Sequence, residues 1–417
     1  MGDRRPRDSR MRKRLRLILG AVAAAAIVFV ATAVALVPQG SDKAAKPGAA
    51  AKPGKAATKC NRTVRSAAGL SRAFGAARPG RTICLAEGSY GTFRGGAKRG
   101  TVTVRAKAGA SPSLSLEFDG ANNIRVEHVT ITDGFISGGT RNVTVAHSRF
   151  TGILVVDQDT PRPNIVLAHN THNNIPGAAD DYTSRVDLEA PGVVVKNSLF
   201  SGGSSDGVRV GDAPDTRIIG NEFTAFDNVD PLHTDPIQFY GEGPRTIVRG
   251  NWFHDMVDVS ALIMMADGGG PHVIEGNLFG PGGNHTFSLT WYSDDGSIIR
   301  HNTFVGGNCD FNVPCGTINL GYKPEDDRGT GTVIKDNILT QIWRSGNGEG
   351  GGTALFSSSH NLFRRGRPIG PGDIRGAPRY VGPPTAFRGF RLARGSRGKG
   401  NASDGADRGI RYRPQGG

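Results

Sequence analysis

Cysteine is scarce in this chain, four residues in 417, and none of them falls in a Cys-x-x-Cys pair. Without that spacing no structural zinc site competes for them. No uninterrupted helical pattern lies between the phrases that repeat along the chain, which excludes a solenoid of helix pairs. No recognised nucleic-acid-binding motif accompanies the net charge of +14. The charge is also badly distributed for such a role. Residues 1–16 hold eight Lys/Arg against two Asp, the linker up to residue 60 five against one, and residues 361–417 thirteen against three, which leaves −6 for residues 61–360. Nucleic acid is therefore not an expected partner, although basic ends can dock on an anionic envelope or polymer.

What is present is a phrase. RIIGNEF (217–223) recurs as TIVRGNWF (246–253), HVIEGNLF (272–279), SIIRHNTF (297–304), TVIKDNIL (332–339) and SSSHNLF (357–363), with looser copies at 143–150, 165–172 and 193–200. Taking Ser148, Asn170, Ser198, Asn221, Asn251, Asn277, Asn302, Asn337 and Asn361 as equivalent, the intervals are 22, 28, 23, 30, 26, 25, 35 and 24. A period in the twenties is a solenoid. Each copy is a short β-branched run beside Gly, Asn or Asp, so the coils are made of strands and the fold is a parallel β-helix. Coils stack about 4.8 Å apart, close enough for equivalent Asn side chains to form a hydrogen-bonded ladder. Packing, not chemistry, is the expectation for that column.

The chain opens with a basic segment (1–16) and an uncharged apolar run, LILGAVAAAAIVFVATAVALV, inside residues 17–38. The run is long enough to span a bilayer, and the positive-inside rule would put the rest of the chain outside the cytoplasm. An uncleaved anchor is expected; a signal peptide cut near Ala33-Val34-Ala35 is the alternative. Residues 39–59, dominated by Ala, Lys, Pro and Gly, read as an extended tether. The folded domain should then occupy 60–410, as a monomer, with a short tail at 411–417.

The four cysteines suit an extracytoplasmic setting. They permit three pairings; the favoured one joins Cys309 to Cys315 across DFNVP and leaves Cys60 to Cys84. Ala67, Leu70, Ala73, Phe74 and Ala77 make an apolar helical face before Pro79-Gly80, the pattern of a helix that covers the open end of a solenoid.

That short helix followed by PGRTICLAEGSYG (79–91) resembles the entrance of right-handed parallel β-helix proteins of the pectate-lyase-like superfamily. GAPRYVG (376–382) and FRLARGSRGKGNASDGADRGI (390–410) resemble their closing coils, with Ala377 where Asp is usual and Arg397 where Pro is usual. The resemblance covers roughly 62–410 and implies an all-β, single-stranded right-handed β-helix with an N-terminal capping helix. The superfamily holds polysaccharide lyases, hydrolases, uronate epimerases and non-catalytic surface proteins, so the reaction must be argued from a site.

A second strand per coil supplies one. In DGVRVGD (206–212), DPIQFYG (235–241), HTFSLTWY (285–292) and CGTINLGY (315–322), alternation sends Val208, Val210, Ile237, Phe239, Phe287, Leu289, Ile318 and Leu320 inward. Arg209, Gln238, Ser288, Thr290 and Asn319 then point outward, and RVDLEAPG (185–192) adds Asp187 and Glu189. The densest stretch is 226–243, with Asp227, Asp230, His233, Asp235 and Gln238; Asp206 is the equivalent of Asp235 one coil earlier. Carboxylates one coil apart, about 5 Å, suit a retaining glycosidase, and two coils apart an inverting one. Asp residues before Gly207 and Pro236 also simply make turns. Oxygen-rich geometry suits Ca²⁺, with Asp187, Glu189 and Asp230 as its candidate ligands.

β-Elimination from a uronic-acid polymer needs a neutralised carboxylate, a base for the C5 proton and an acid for the leaving oxygen. Arg209 or Ca²⁺ is the candidate for the first, His233 for the second, and Tyr240, Tyr292 or Tyr322 for the third. Gln238, Trp291 and Asn319 are expected to bind sugar, together with the same Tyr240, Tyr292 and Tyr322, with Asp206 and Asp235 completing the catalytic set and His254 and His285 held as spares. RVGD (209–212) is similar to the Arg-His-Gly-Asp phrase of chondroitinase B-like and alginate lyases, without their preceding Lys; DPLHTD (230–235) is similar to the Asp-Pro-His-Asp phrase of alginate C5-epimerases. The expectation is an extracytoplasmic protein acting on an acidic polysaccharide, first as a lyase. A non-catalytic carbohydrate-binding scaffold comes second, and a hydrolase or epimerase third.

Overall fold

The computed structural model describes residues 59–175, 183–228, 233–265, 269–292, 296–305, 315–321, 331–344 and 356–411. The basic segment, the apolar run, all of the tether before its last residue, and 412–417 lie outside them. Among the described residues no helix is long and apolar enough to cross a membrane.

The repeated phrase folds as the sequence implies. Its β-branched half makes the first of three parallel ladders, thirteen described strands from Arg62–Val64 to Phe356–Ser359. Its inward column, Val195, Ile218, Val248, Ile274, Ile299 and Ile334, is in register from coil to coil and fully buried. Each strand ends in a residue with positive φ: Asn197, Gly220, Gly250, Gly276, His301, Asp336 and His360 on successive coils. Only Gly, and less readily Asn, Asp and His, tolerate that left-handed corner, which is why those types recur there.

The Asn follows the corner. Asn221, Asn251, Asn277, Asn302 and Asn337 are buried, and each Oδ1 after the first accepts the backbone N–H of the one before, at 2.8–2.9 Å. Each Nδ2 donates to a carbonyl of the preceding coil, as Asn251 does to Ile218 at 2.9 Å. Asp373 ends the series by accepting the N–H of Asn361 at 2.7 Å. The last residue of the phrase then stacks: Phe150, His172, Phe200, Phe223, Phe253, Phe279 and Phe304 lie with ring centroids 4.3–4.9 Å apart.

His172 is the exception in that column. It is fully buried between two phenyl rings, and neither ring nitrogen has a hydrogen-bond partner among the described residues. Burial first, then the Arg185 charge, push its pKa down to about 3 from 6.5. His172→Phe should therefore stabilise the fold by about 1–3 kcal/mol at neutral pH, since unsatisfied buried polar atoms disappear. The pH signature depends on the sign of that shift. Between pH 6.5 and about 3 the unfolded chain takes up a proton that the folded chain refuses, so native stability falls as pH falls through that window. The variant lacks that loss, and its advantage in urea melts should widen below pH 6.5, by up to ~1.4 kcal/mol per pH unit. An advantage that is absent at neutrality and does not widen would refute this account.

The N-terminal cap is helix α1, Ala67–Ala76, with Ser66 accepting the Gly69 N–H at 3.1 Å. Leu70, Ala73 and Phe74 are buried and Phe74 meets Phe93 edge-on at 5.1 Å; Ala77 is half-buried, but Ala67, expected on the apolar face, is exposed. Cys60 is bridged to Cys84, as expected, with Cα atoms 5.7 Å apart. Cys315 is disulfide-bonded; its expected partner, Cys309, lies outside the described residues.

The far end departs from expectation. After Ile374–Arg375 the chain makes no further parallel coil, and residues 376–411 run back as a strap over the solenoid. This segment has Arg and Gly where a coil needs β-branched residues. Phe387, Phe390 and Ile410 cluster with Leu278, and Leu392 with Ile338 and Leu362. Arg408 is buried and donates to the carbonyls of Asn361, Gly372 and Asn401, so part of the C-terminal basic charge is structural rather than a solvated tail. Arg411, expected to begin a free tail, pairs with Asp404.

Candidate active site

The other two ladders share one 21-stranded sheet among the described residues. The second ladder includes Ser184–Glu189, Asp206–Val210, Ile237–Phe239, Ile263–Met265, Leu289–Tyr292, Thr317–Gly321 and Gln341–Arg344. Its alternation is as read: Val208, Val210, Ile237, Phe239, Leu289, Ile318 and Leu320 are in the core. Asp187, Arg209 and Gln238 are successive members of the outward column, followed by Met264, Thr290, Asn319 and Trp343.

Two acids flank Arg209. Its Nη1 lies 4.0 Å from Asp187 Oδ2 and its Nε 3.9 Å from Asp206 Oδ2, and its guanidinium sits over the Tyr240 ring at 4.2 Å from the centroid. The side chain is only 7% exposed. The Tyr240 hydroxyl donates toward Asp187 Oδ1 at 2.7 Å and Glu189 Oε1 at 2.5 Å. Tyr240 belongs two coils away from those acids and reaches them across Gly211. A Cβ on Gly211 would stand 2.7 Å from the Tyr240 hydroxyl and 2.6 Å from Glu189 Oε1, so glycine is what lets the three groups meet.

Asp206 and Asp235 occupy the corner before their strands. Asp206 Oδ1 accepts the Asp235 N–H at 2.8 Å, and Asp235 Oδ1 accepts the Ala261 N–H at 2.9 Å. That half of each carboxylate does what the turn reading requires. The other oxygens differ: Asp235 Oδ2 is 3.1 Å from His233 Nδ1, and Asp206 Oδ2 is buried with no hydrogen-bond partner among the described residues. The His233 side chain is 42% exposed while Asp235 is fully buried. With Nδ1–H donating to Asp235, the imidazole keeps its lone pair on Nε2, the tautomer a base requires.

Burial dominates the electrostatics. It raises the pKa of Asp187 and of Glu189, despite Arg209 and Tyr240. It raises Asp206 well above the ordinary range with help from the Asp235 charge, and it raises Asp235 against the pull of His233. Tyr240 is raised by burial and then by its two carboxylate partners, so its proton is held rather than offered.

Several expected site residues lie elsewhere. Trp291 is 1% exposed and sits in the core edge-on to Phe239, because it shares the parity of Leu289. It is no sugar platform. Asn319 is buried with Nδ2 on the Tyr292 hydroxyl at 3.2 Å, and Gln238, Ser288 and Thr290 are also covered, so this outward column is lined rather than bare. Phe287, expected inward, is half-buried at the corner column, edge-on to Trp343. His285 is buried against Ser288 Oγ, and burial pushes it down to about 4. His254 is held between Glu222 and Asp255. Asp230 and Tyr322 fall outside the described residues. Among those described, no group of three or more His, Cys, Asp or Glu converges on a metal position, and the Asp187–Glu189 pair is bridged by Tyr240.

Two residues escaped the sequence reading. Arg185 is fully buried under the site, its guanidinium 4.1 Å from the Phe226 centroid, with donors on Ser205 and on the carbonyls of His172 and Gly202. Burial lowers its pKa to about 9, while Asp206 draws it back up. Trp343 is 41% exposed at the far end of the Arg209 column. Counting coils from Arg209 would have found it.

A profile described as a right-handed beta helix region matches residues 115–304. No curated protein matches. Among solved structures, a point variant of the PL6 family alginate lyase AlyGC is 15% identical, covering 85% of this chain and 59% of its own, with a TM-score of 0.45. Pectate lyase Pel9A is 14% identical over 86% of this chain and 98% of its own, at 0.38. The Dettilon tailspike protein is 11% identical over 75% and 64%, at 0.37. This chain thus spans a little under three-fifths of the AlyGC chain. The chain folds as a right-handed parallel β-helix.

Proposed function

We propose that this protein acts outside the cytoplasm on a uronic-acid-containing polysaccharide and cleaves it by β-elimination. The observation that carries the reading is the His233–Asp235 pair, a half-exposed imidazole oriented by a buried carboxylate one coil from Arg209. Arg209 supplies the positive charge that steadies a uronate carboxylate and the enolate that forms from it. His233 Nε2 takes the C5 proton; the electrons of that C–H bond become the C4–C5 double bond as the C4–O bond breaks. Glu189, a half-buried carboxyl whose pKa burial raises, is the proposed acid for the leaving oxygen in place of Tyr240, whose proton is held. The Cys60–Cys84 bridge fits an oxidising compartment, and the apolar run at 17–38 is the proposed tether to the membrane.

Absorbance near 235 nm, read during incubation with alginate, polygalacturonate, chondroitin and hyaluronan, with and without added Ca²⁺, is the test. A rise on one polymer is expected. New reducing ends without absorbance would mean hydrolysis, and no reaction alongside retained binding would mean a scaffold. The scaffold is the second reading, favoured because Asp206 and Asp235 each commit one oxygen to a backbone N–H of the next coil.

A further inference from the structure

The left-handed corner column bears a side chain on most coils and none on three. His128, His147, His169 and Asn197 hold it at φ of 50–57°, and His301, Asp336 and His360 at 52–60°; between them stand Gly220, Gly250 and Gly276. The backbone there does not demand glycine, because seven other residues adopt the same corner. What glycine removes is bulk, and a cavity of 220 Å³ opens above Gly220 and Gly250. It is closed at one end by His169 and Asn197, walled by Leu199, Glu222 and Trp252 of the third ladder, and overhung by Phe387 of the C-terminal strap.

The walls are held in place. Trp252 donates its indole N–H to the Gly280 carbonyl at 2.9 Å and is stacked 3.9 Å from the His254 ring. His254 in turn lies 3.1 Å from Glu222 Oε1 and 2.8 Å from Asp255 Oδ2. Burial lowers its pKa and the two carboxylates more than reverse that, and the ring, hydrogen-bonded on both nitrogens, holds Glu222 beside the indole. A fixed aromatic wall, a fixed carboxylate acceptor, and an amide that both donates and accepts match a sugar ring, which has an apolar C–H face and a rim of hydroxyls. A uronate would bring its own carboxylate against Glu222.

We propose that this groove binds one neutral sugar residue of a glycan, on a different ladder from Arg209 and independently of any chemistry there. Calorimetric titration of the full chain with cellohexaose, laminarihexaose and mannohexaose tests it, with hexagalacturonate as the acidic contrast. At least one neutral hexaose should bind with one site per chain. Gly250→Asn places in the groove the side chain that Asn197 carries at the same corner, so the fold tolerates it, and affinity should drop roughly tenfold or more. Asn197→Gly, also compatible with the corner, removes the amide from the wall and should weaken binding as well. Neither variant should alter binding of hexagalacturonate. If no neutral hexaose binds the unaltered protein, or if both variants bind as it does, the proposal is wrong; should Gly250→Asn melt early, Asn197→Gly decides.

Discussion

His233→Ala should lower the elimination rate by about a hundredfold to ten-thousandfold, the usual contribution of a positioned general base. The fall should lie in kcat, with KM little changed, because the imidazole acts on the C5 proton and not on binding. Asp235→Asn sharpens the claim. Asn keeps an oxygen for the Ala261 N–H, so the corner survives. Its amide would then donate to Nδ1, which moves the imidazole proton to Nε2 and removes the lone pair from the reacting side. The expected loss in kcat is therefore close to that of His233→Ala, with a melting temperature near the parent's. Asp206→Asn should behave differently. Burial and the Asp235 charge already favour the neutral carboxyl at 206. A raised acid pKa means the folded state holds a proton the unfolded chain gives up, so stability falls as pH rises above the ordinary carboxylate range. An amide there escapes that loss and should leave activity largely intact. If Asp206→Asn is the crippling change and His233→Ala is mild, the base has been misassigned; if none of the three matters while product still forms, the site lies elsewhere.

The fold was legible because a solenoid writes itself into the sequence many times. One copy of GNEF is a weak signal; a column of nine Asn and Ser at coil spacing leaves little else for the chain to be. The site is written once, and each of its parts was legible to a different degree. Asp206, Arg209, Asp235 and His233 could be placed near one another because they sit on or just before strands whose phase the repeats had set. Trp291 was misplaced although the same phase, applied two residues beyond Leu289, puts it inside. Tyr240 was read as an acid because its partners cannot be seen in sequence: it crosses Gly211 to reach residues 51 and 53 positions away. The role of Gly211 is a matter of missing volume, which no residue type announces. The C-terminal strap was misread for a related reason. Its phrases are those of closing coils, but only the absence of β-branched runs separates a coil from a cover.

The largest stability change is expected in the asparagine ladder, at Asn277→Leu. Leu keeps the branched heavy-atom skeleton of Asn, so the exchange removes the hydrogen bonds without leaving a cavity. Asn277 Oδ1 accepts both the N–H and the Nδ2 of Asn251, and its own Nδ2 donates to the Val248 carbonyl and to Asn302 Oδ1, all at 2.9–3.0 Å. Asn251 Nδ2 still has the Ile218 carbonyl, and Asn302 Oδ1 still has the Asn277 N–H. The Asn251 N–H and the Val248 carbonyl each lose a partner inside a fully buried column. At about 1–3 kcal/mol for each stranded group, the cost is roughly 2–6 kcal/mol, against a typical total of about 5–15. Urea melts should show a lower midpoint, and a shallower transition if coils on either side of 277 begin to separate, since each repeat leans only on its neighbours. His172→Phe is the mirror experiment. It too exchanges a buried polar side chain for an apolar one in a stack that runs coil to coil, yet it should stabilise. The difference is whether partners exist: the Asn is fully engaged and the His ring is not. If both substitutions destabilised alike, shape rather than hydrogen bonding would be ordering these columns, and the ladder would be a consequence of the coil instead of one of its causes.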